Sequence, residues 1–154
     1  MSRLDSEYMG LAIQASRAAL EAGDMPYGAA LVSATGELLQ VSRNRQVSGN
    51  DCTAHAEVVV VREASARLGL AALLGSTVYA SGEPCAMCSG AMFWAGVRRV
   101  VFAAPTDVMA ELFGGDTLPI RCAQALAGCV PAVKVDGPVA ADKALVVLRE
   151  AAGK

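Results

Sequence analysis

The chain carries a single histidine in 154 residues, so imidazole chemistry has one place to sit. Aromatic residues are scarce at 5%, and Trp94 is the one tryptophan. Positive charge is not in excess either. Thirteen Lys and Arg against fifteen Asp and Glu leave a formal net charge of -2. Affinity for a long polyanion comes largely from neutralised phosphates, so this balance argues against nucleic acid as the main partner. The pairs Arg43 and Arg45, and Arg98 and Arg99, are the local basic patches. No apolar run approaches the roughly 20 residues that span a bilayer. Met1 to Leu20 carries acids and polar residues where a secretory signal needs an apolar stretch. A soluble, cytoplasmic protein with no membrane partner is expected, folded as one domain over residues 1–154. Five cysteines in such a chain point away from a disulfide framework and toward metal binding, reactivity or burial. Cys52, Cys122 and Cys129 are read as small buried hydrophobes.

Hydrophobic periodicity predicts alternating elements. Met9, Ala12, Ile13, Ala19 and Leu20 recur at helical spacing, which predicts a helix from Asp5 to Ala22 stopped by Gly23. Tyr27 to Val32 and Leu38 to Ser42 read as an antiparallel strand pair around Thr35-Gly36. Thr53 is placed to cap a helix from about Ala54 to Leu68. A strand from Ser76 to Ser81 leads to Pro84 and a helix that carries Cys85 and Cys88 and ends near Ala95. Strand Val97 to Ala103, a short helix over Val108 to Leu112, helical turns within Pro119 to Ala127, strand Val133 to Val135 and helix Ala140 to Ala151 complete the chain. The fold class is α/β, a three-layer α/β/α arrangement around a mixed sheet of five strands.

The histidine stands in the run Thr53-Ala54-His55-Ala56-Glu57, and Glu83-Pro84-Cys85-Ala86-Met87-Cys88 follows downstream. One imidazole and two thiolates are three ligands, and catalytic zinc sites supply three and keep the fourth position open, whereas structural sites close it with a fourth. Cys85 and Cys88, three apart at a helix start, reach one ion together. His55 and Glu57, two apart, would diverge by about 200° on an ideal helix, so they share a pocket only if it opens at the helix end. There Glu57 stands beside the metal without ligating it, as a proton shuttle must. The residues alone leave three other readings open. Cys-x-x-Cys after a strand also fits a thiol oxidoreductase. Cys52, Cys122 or Cys129 would close a structural zinc site. A binding module that keeps a metal without chemistry has the same ligands.

The pattern His-x-Glu followed by Pro-Cys-x-x-Cys is that of zinc deaminases. The chain resembles the cytidine deaminase-like superfamily, in particular the branch that holds guanine deaminases, cytosine deaminases and tRNA adenosine deaminases. The resemblance runs from about Pro26 to Ala104, through Pro26-Tyr27-Gly28-Ala29, Asn44, Thr53-Ala54-His55-Ala56-Glu57 and Glu83 to Met92. It implies a zinc-dependent hydrolase acting on an amidine C–N bond, with one Zn2+ on His55, Cys85 and Cys88 and with Glu57 moving the protons. The Ala56 backbone amide and the carbonyl near Glu83 resemble fixed contacts to the reacting group, and Asn44 is implied to hydrogen-bond the base. Met92-Phe93-Trp94-Ala95 resembles the guanine deaminase stretch in which an aromatic borders the base. Thr106-Asp107 with Phe113-Gly114-Gly115-Asp116 resembles the acidic stretch that reads guanine's amino group and ring N–H, making Asp116 a candidate and Asp107 a second one.

Charge balance then favours a small free base, of the guanine or isocytosine type with cytosine as another possibility, over a tRNA substrate. The alternative is a tRNA adenosine deaminase, to which Ala91-Met92 and Val97 to Phe102 are equally similar. The resemblance also implies a homodimer. Residues 118–138 match no part of the pattern and are expected to form a lid or a subunit contact. Cys52 stands where relatives often carry proline, and Ser81-Gly82 also departs from the common pattern.

Overall fold

A computed structural model describes residues 2–154. Helix α1 spans Arg3–Glu21 and starts two residues before the expected Asp5 because Ser2 and Asp5 form a reciprocal cap. The Asp5 N–H donates to Ser2 Oγ at 3.0 Å and the Ser2 N–H to Asp5 Oδ2 at 3.2 Å. Strands β1 (Gly28–Val32) and β2 (Leu38–Arg43) pair antiparallel, and β1 pairs antiparallel with β3 (Thr77–Gly82). Strand β3 is parallel to β4 (Arg99–Ala104), which is parallel to β5 (Lys134–Asp136). The five-stranded mixed sheet has the order β2-β1-β3-β4-β5.

Alternation along each strand sorts the layers. Ala29, Leu31, Val78 and Val100 face α2 (Ala56–Leu68), α3 (Ala86–Ala95) and α5 (Cys122–Ala125) through Val60, Ala64, Met92 and Cys122. Ala30, Val32, Tyr79, Val101 and Ala103 face α1 and α6 (Ala141–Ala151) through Met9, Ala12, Ala144 and Leu148. Met109, Leu112 and Phe113 of α4 (Thr106–Phe113) pack on the same side. The three-layer α/β/α expectation therefore holds.

Two local expectations are corrected. Thr53 does not cap α2, since its hydroxyl and its N–H both donate to Asp51 Oδ1, at 2.7 and 2.9 Å. The helix begins two residues later, and His55 takes the extended position before it. Cys52 is exposed in the same turn, whereas Cys122 is buried and Cys129 packs against the core as expected. Among the described residues, no helix is long and apolar enough to cross a membrane.

Arg99 bridges layers. It donates to Asp5 at 2.7 Å and to Asp136 at 2.8 Å, and Tyr79 donates to the same Asp5 at 2.7 Å. The Arg99 guanidinium, joined by Tyr79, holds the Asp5 carboxyl far below the usual carboxylate range.

Candidate active site

Two chain reversals meet at one end of the sheet. His55 and Cys85 each occupy the extended residue before a helix, His55 before α2 and Cys85 before α3, so both side chains stand at helix N-termini. There the unpaired N–H groups and the helix dipoles favour anionic sulfur. Cys88, one turn into α3, is fully buried.

Cys85 Sγ lies 3.6 Å from Cys88 Sγ, and His55 Nδ1 lies 3.7 and 3.5 Å from the two sulfurs. Zinc–sulfur bonds of about 2.3 Å and a zinc–nitrogen bond of about 2.05 Å at tetrahedral angles require edges of about 3.8 Å between sulfurs and about 3.6 Å between sulfur and nitrogen. The observed triangle matches those edges within about 0.2 Å, so the donor set fits one zinc ion through Nδ1 of His55. The Cys85 thiol is drawn down to about 4 by the Cys88 thiol, with His55 adding to the pull, while Cys88 is pushed up. The two thiols thus differ in acidity, and both must be deprotonated to hold a dication. Among the described residues no fourth Cys, His, Asp or Glu joins this triangle, which removes the closed structural site as a reading.

Glu57, on the first turn of α2, is buried beside the ligands with Oε2 3.4 Å from Cys88 Sγ, yet it lies outside the donor triangle. Burial pushes its carboxyl up. Ala56, the first helical residue, is buried against the core.

A cavity of about 360 Å³ opens onto this centre, within the range of small-molecule sites. His55, Glu57 and Cys85 line it, as do Asn44, Glu83 and Asp116. Trp94 is 84% exposed on α3 and Asp107 is exposed on the first turn of α4, and neither is among the lining residues. Asn44 is buried, with Oδ1 accepting the Gln46 N–H at 2.9 Å and Nδ2 donating to Gln46 Oε1 at 2.7 Å.

The Glu83 side chain is fully engaged. It accepts from Thr106 N–H and Oγ–H, both at 2.9 Å, and from Arg121 Nε at 3.0 Å. Burial works against its ionised form, but Arg121 and Thr106 win and hold the carboxyl below its ordinary value. This link ties the irregular segment 114–121 to the ligand-bearing segment, and Thr117, Leu118 and Ile120 of that segment close one side of the cavity. The start of the unplaced region 118–138 is therefore cavity wall.

Residue spacing did not reveal Tyr27, Gln46, Met109, Phe113 and Ile120 as lining residues. The two-residue step from Asn44 to Gln46 was the readable signal for Gln46, being that of an Asx-type turn. Tyr27 and Phe113 stand in runs that carry the resemblance, but nothing local marks Met109 and Ile120. Gly82 shows why the departure at Ser81-Gly82 matters, because an added Cβ would come within 2.8 Å of Met109 Sδ and 3.0 Å of the Tyr27 ring.

The profile of the cytidine and deoxycytidylate deaminase zinc-binding region matches residues 2–104, more than half of the chain. The chain belongs to this family. Within the deaminase family it is 33% identical over 155 residues to the "Probable cytosine deaminase" of Schizosaccharomyces pombe, covering 95% of this chain and 91% of that protein. It is 40% identical over 99 residues to a tRNA-specific adenosine deaminase of Agrobacterium fabrum, covering 64% of each. The solved guanine deaminase of Nitrosomonas europaea superposes with a TM-score of 0.82 at 32% identity, over 96% of this chain and 84% of that one. Some relatives are longer: the chain spans 26% of the length of the tRNA(Ile)-lysidine synthase of Deinococcus deserti, to which it is 38% identical over 143 residues. The family is one of zinc-binding deaminases, and His55, Cys85 and Cys88 are positioned here to hold zinc with the Glu57 carboxylate beside them.

The loop that carries Asn44 is pinned by Asp24. This buried carboxylate accepts from the N–H groups of Val47 and Ser48, from the Ser48 hydroxyl and from Arg43. Burial alone would raise its pKa, but the bonds from Ser48, Arg43 and Val47 outweigh it and bring the carboxyl from 3.8 down to about 2. A depressed folded-state pKa supplies stability that is present above the unfolded value and is lost as pH falls through the folded one. Wild-type protein should therefore lose more stability than Asp24→Asn between pH 3.8 and about 2, as read by urea midpoints across that window. Parallel acid profiles for the two proteins would refute the pin.

Proposed function

We propose that the chain catalyses hydrolytic deamination of a small free amino-heterocycle, with guanine or isocytosine as the base type and one zinc ion as cofactor. In this reaction the amino-bearing carbon exchanges C–NH2 for C=O, water entering and ammonia leaving. Bound zinc at His55, Cys85 and Cys88 supplies an acidified water. Glu57, next to but outside the ligands, would take a proton from the attacking water and deliver it to the ring nitrogen beside the amino-bearing carbon. It then passes a proton to the departing amine. The Ala56 amide at the start of α2 and the backbone at Glu83 hold the reacting group. Asn44 donates to the ring, and Asp116 accepts from its N–H groups across the cavity. Met109, Phe113 and Ile120 present apolar surface to the faces of the ring.

The observation that carries this reading is the roughly 360 Å³ cavity walled by segment 114–120 and α4, which has room for a base beside the ligand triangle. The arginines support it as well. Arg43, Arg45 and Arg99 are spent on Asp24, Glu63 and Asp5, and Arg98 lies over the Phe93 ring. The similarity to tRNA-specific adenosine deaminases favours the second reading, deamination of an adenosine in a tRNA loop. The homodimer implied by resemblance belongs to this proposal too, with Trp94 as exposed apolar surface available to such a contact.

The test is ammonia release by zinc-loaded protein from guanine, isocytosine, cytosine, adenine, their nucleosides and a tRNA anticodon stem-loop. Turnover of a free base is expected. Activity confined to the stem-loop would overturn the free-base reading.

A further inference from the structure

Asn44 and Gln46 form a short relay of amides whose polarity can be followed outward from the backbone. The Gln46 N–H donates to Asn44 Oδ1, which fixes which end of the Asn44 carboxamide is oxygen. Its Nδ2 therefore faces Gln46 and donates to Oε1. That bond in turn fixes the Gln46 carboxamide. Its Nε2 is left outside the relay, making no hydrogen bond to the protein among the described residues, on a partly exposed side chain that lines the cavity. The relay is rigid, because Asp24 holds the following residues, Val47 and Ser48, through their N–H groups.

We propose that Gln46 is a specificity-determining residue of this centre. Its Nε2 donates to a ring nitrogen or carbonyl oxygen on the acceptor-rich edge of an oxo-purine, next to the second Nδ2 hydrogen of Asn44. Two neighbouring amide donors match an edge with two neighbouring acceptors, and a site built to hydrogen-bond such an edge rejects rings that lack it. The inference rests on the free-base reading and narrows it to purines.

The experiment measures binding in the Glu57→Gln background, where a base binds without turnover. Calorimetric Kd values are compared for guanine, 7-deazaguanine and 2-aminopurine with Gln46, Gln46→Glu and Gln46→Met. The glutamate retains an oxygen for Asn44 Nδ2 and loses the donor, whereas methionine loses both at similar length. Both variants should weaken guanine by about tenfold, and the penalty should fall within about twofold for whichever analogue lacks the acceptor Gln46 touches. A merely structural role would leave Gln46→Glu unchanged and weaken Gln46→Met equally for all three ligands, which would overturn the inference. A penalty equal on every ligand, or no guanine binding at all, would overturn it too. Ammonia release by the unmodified protein separates the cases. Turnover of any free base preserves the parent reading while the Gln46 role falls, and turnover of none removes both.

Discussion

Glu57→Gln is expected to lower the rate of ammonia release by about a thousandfold while zinc stays at one ion per chain. Positioned acid–base groups contribute about 10² to 10⁴ in rate, and this carboxylate is asked to move two protons in each turnover. No other acid in the cavity is placed to replace it. Glu83 is held by Arg121 and Thr106, and Asp116 stands on the segment that closes the cavity. The substitution conserves shape and leaves His55, Cys85 and Cys88 in place, so metal content measured by atomic emission should not move. Thermal stability should hold or rise, because a buried group whose carboxyl is pushed up by desolvation is one the fold retains at a cost. Activity within tenfold of wild type, with zinc intact, would remove Glu57 from the proton-shuttle role.

Gly28→Ala should destabilise the fold by about 3 kcal/mol, the upper range for overpacking a core. An added Cβ would stand 2.2 Å from the Ala12 carbonyl oxygen, 2.5 Å from the Ser16 nitrogen and 2.6 Å from Ala15 Cβ. Two of those three neighbours are backbone of α1, so no rotamer change relieves the overlap and the helix must lift from β1. Such a shift would propagate to Tyr27 beside the cavity, and the Gly28 N–H would lose its bond to Ser81 Oγ at 3.0 Å. Urea denaturation reads the effect directly. A midpoint change worth less than about 1 kcal/mol would mean that α1 does not seat on β1 this closely.

Gly28 also shows how far the sequence could be read. It belongs to the run Pro26-Tyr27-Gly28-Ala29 that carries the family resemblance, but its reason for being glycine is a helix backbone crossing it from fourteen or so residues upstream. The element starts were displaced where side chains competed for the backbone. The Ser2–Asp5 cap lengthened α1 at its start, and the Asp51–Thr53 turn delayed α2 until His55 was its cap residue. The delay matters chemically, because an extended residue at a helix end lets His55 and Glu57 reach one pocket despite their divergence on an ideal helix.

By itself the sequence determined the chemistry and the layer arrangement. Cys85 and Cys88, three residues apart, are brought together by local helix geometry, whereas His55 joins them from thirty residues upstream; the apolar runs of β1, β3 and β4 commit those strands to two covered faces. Only the tertiary structure decided what walls the cavity. Gln46, Met109 and Ile120 come from a loop after β2, a helix after β4 and an irregular segment, with no periodicity to announce them. They meet because β1 and β3 are adjacent in the sheet although distant in the chain, which sets the β2 loop beside the ligand-bearing turns, and because the Arg121–Glu83 ion pair folds segment 114–121 back over the site.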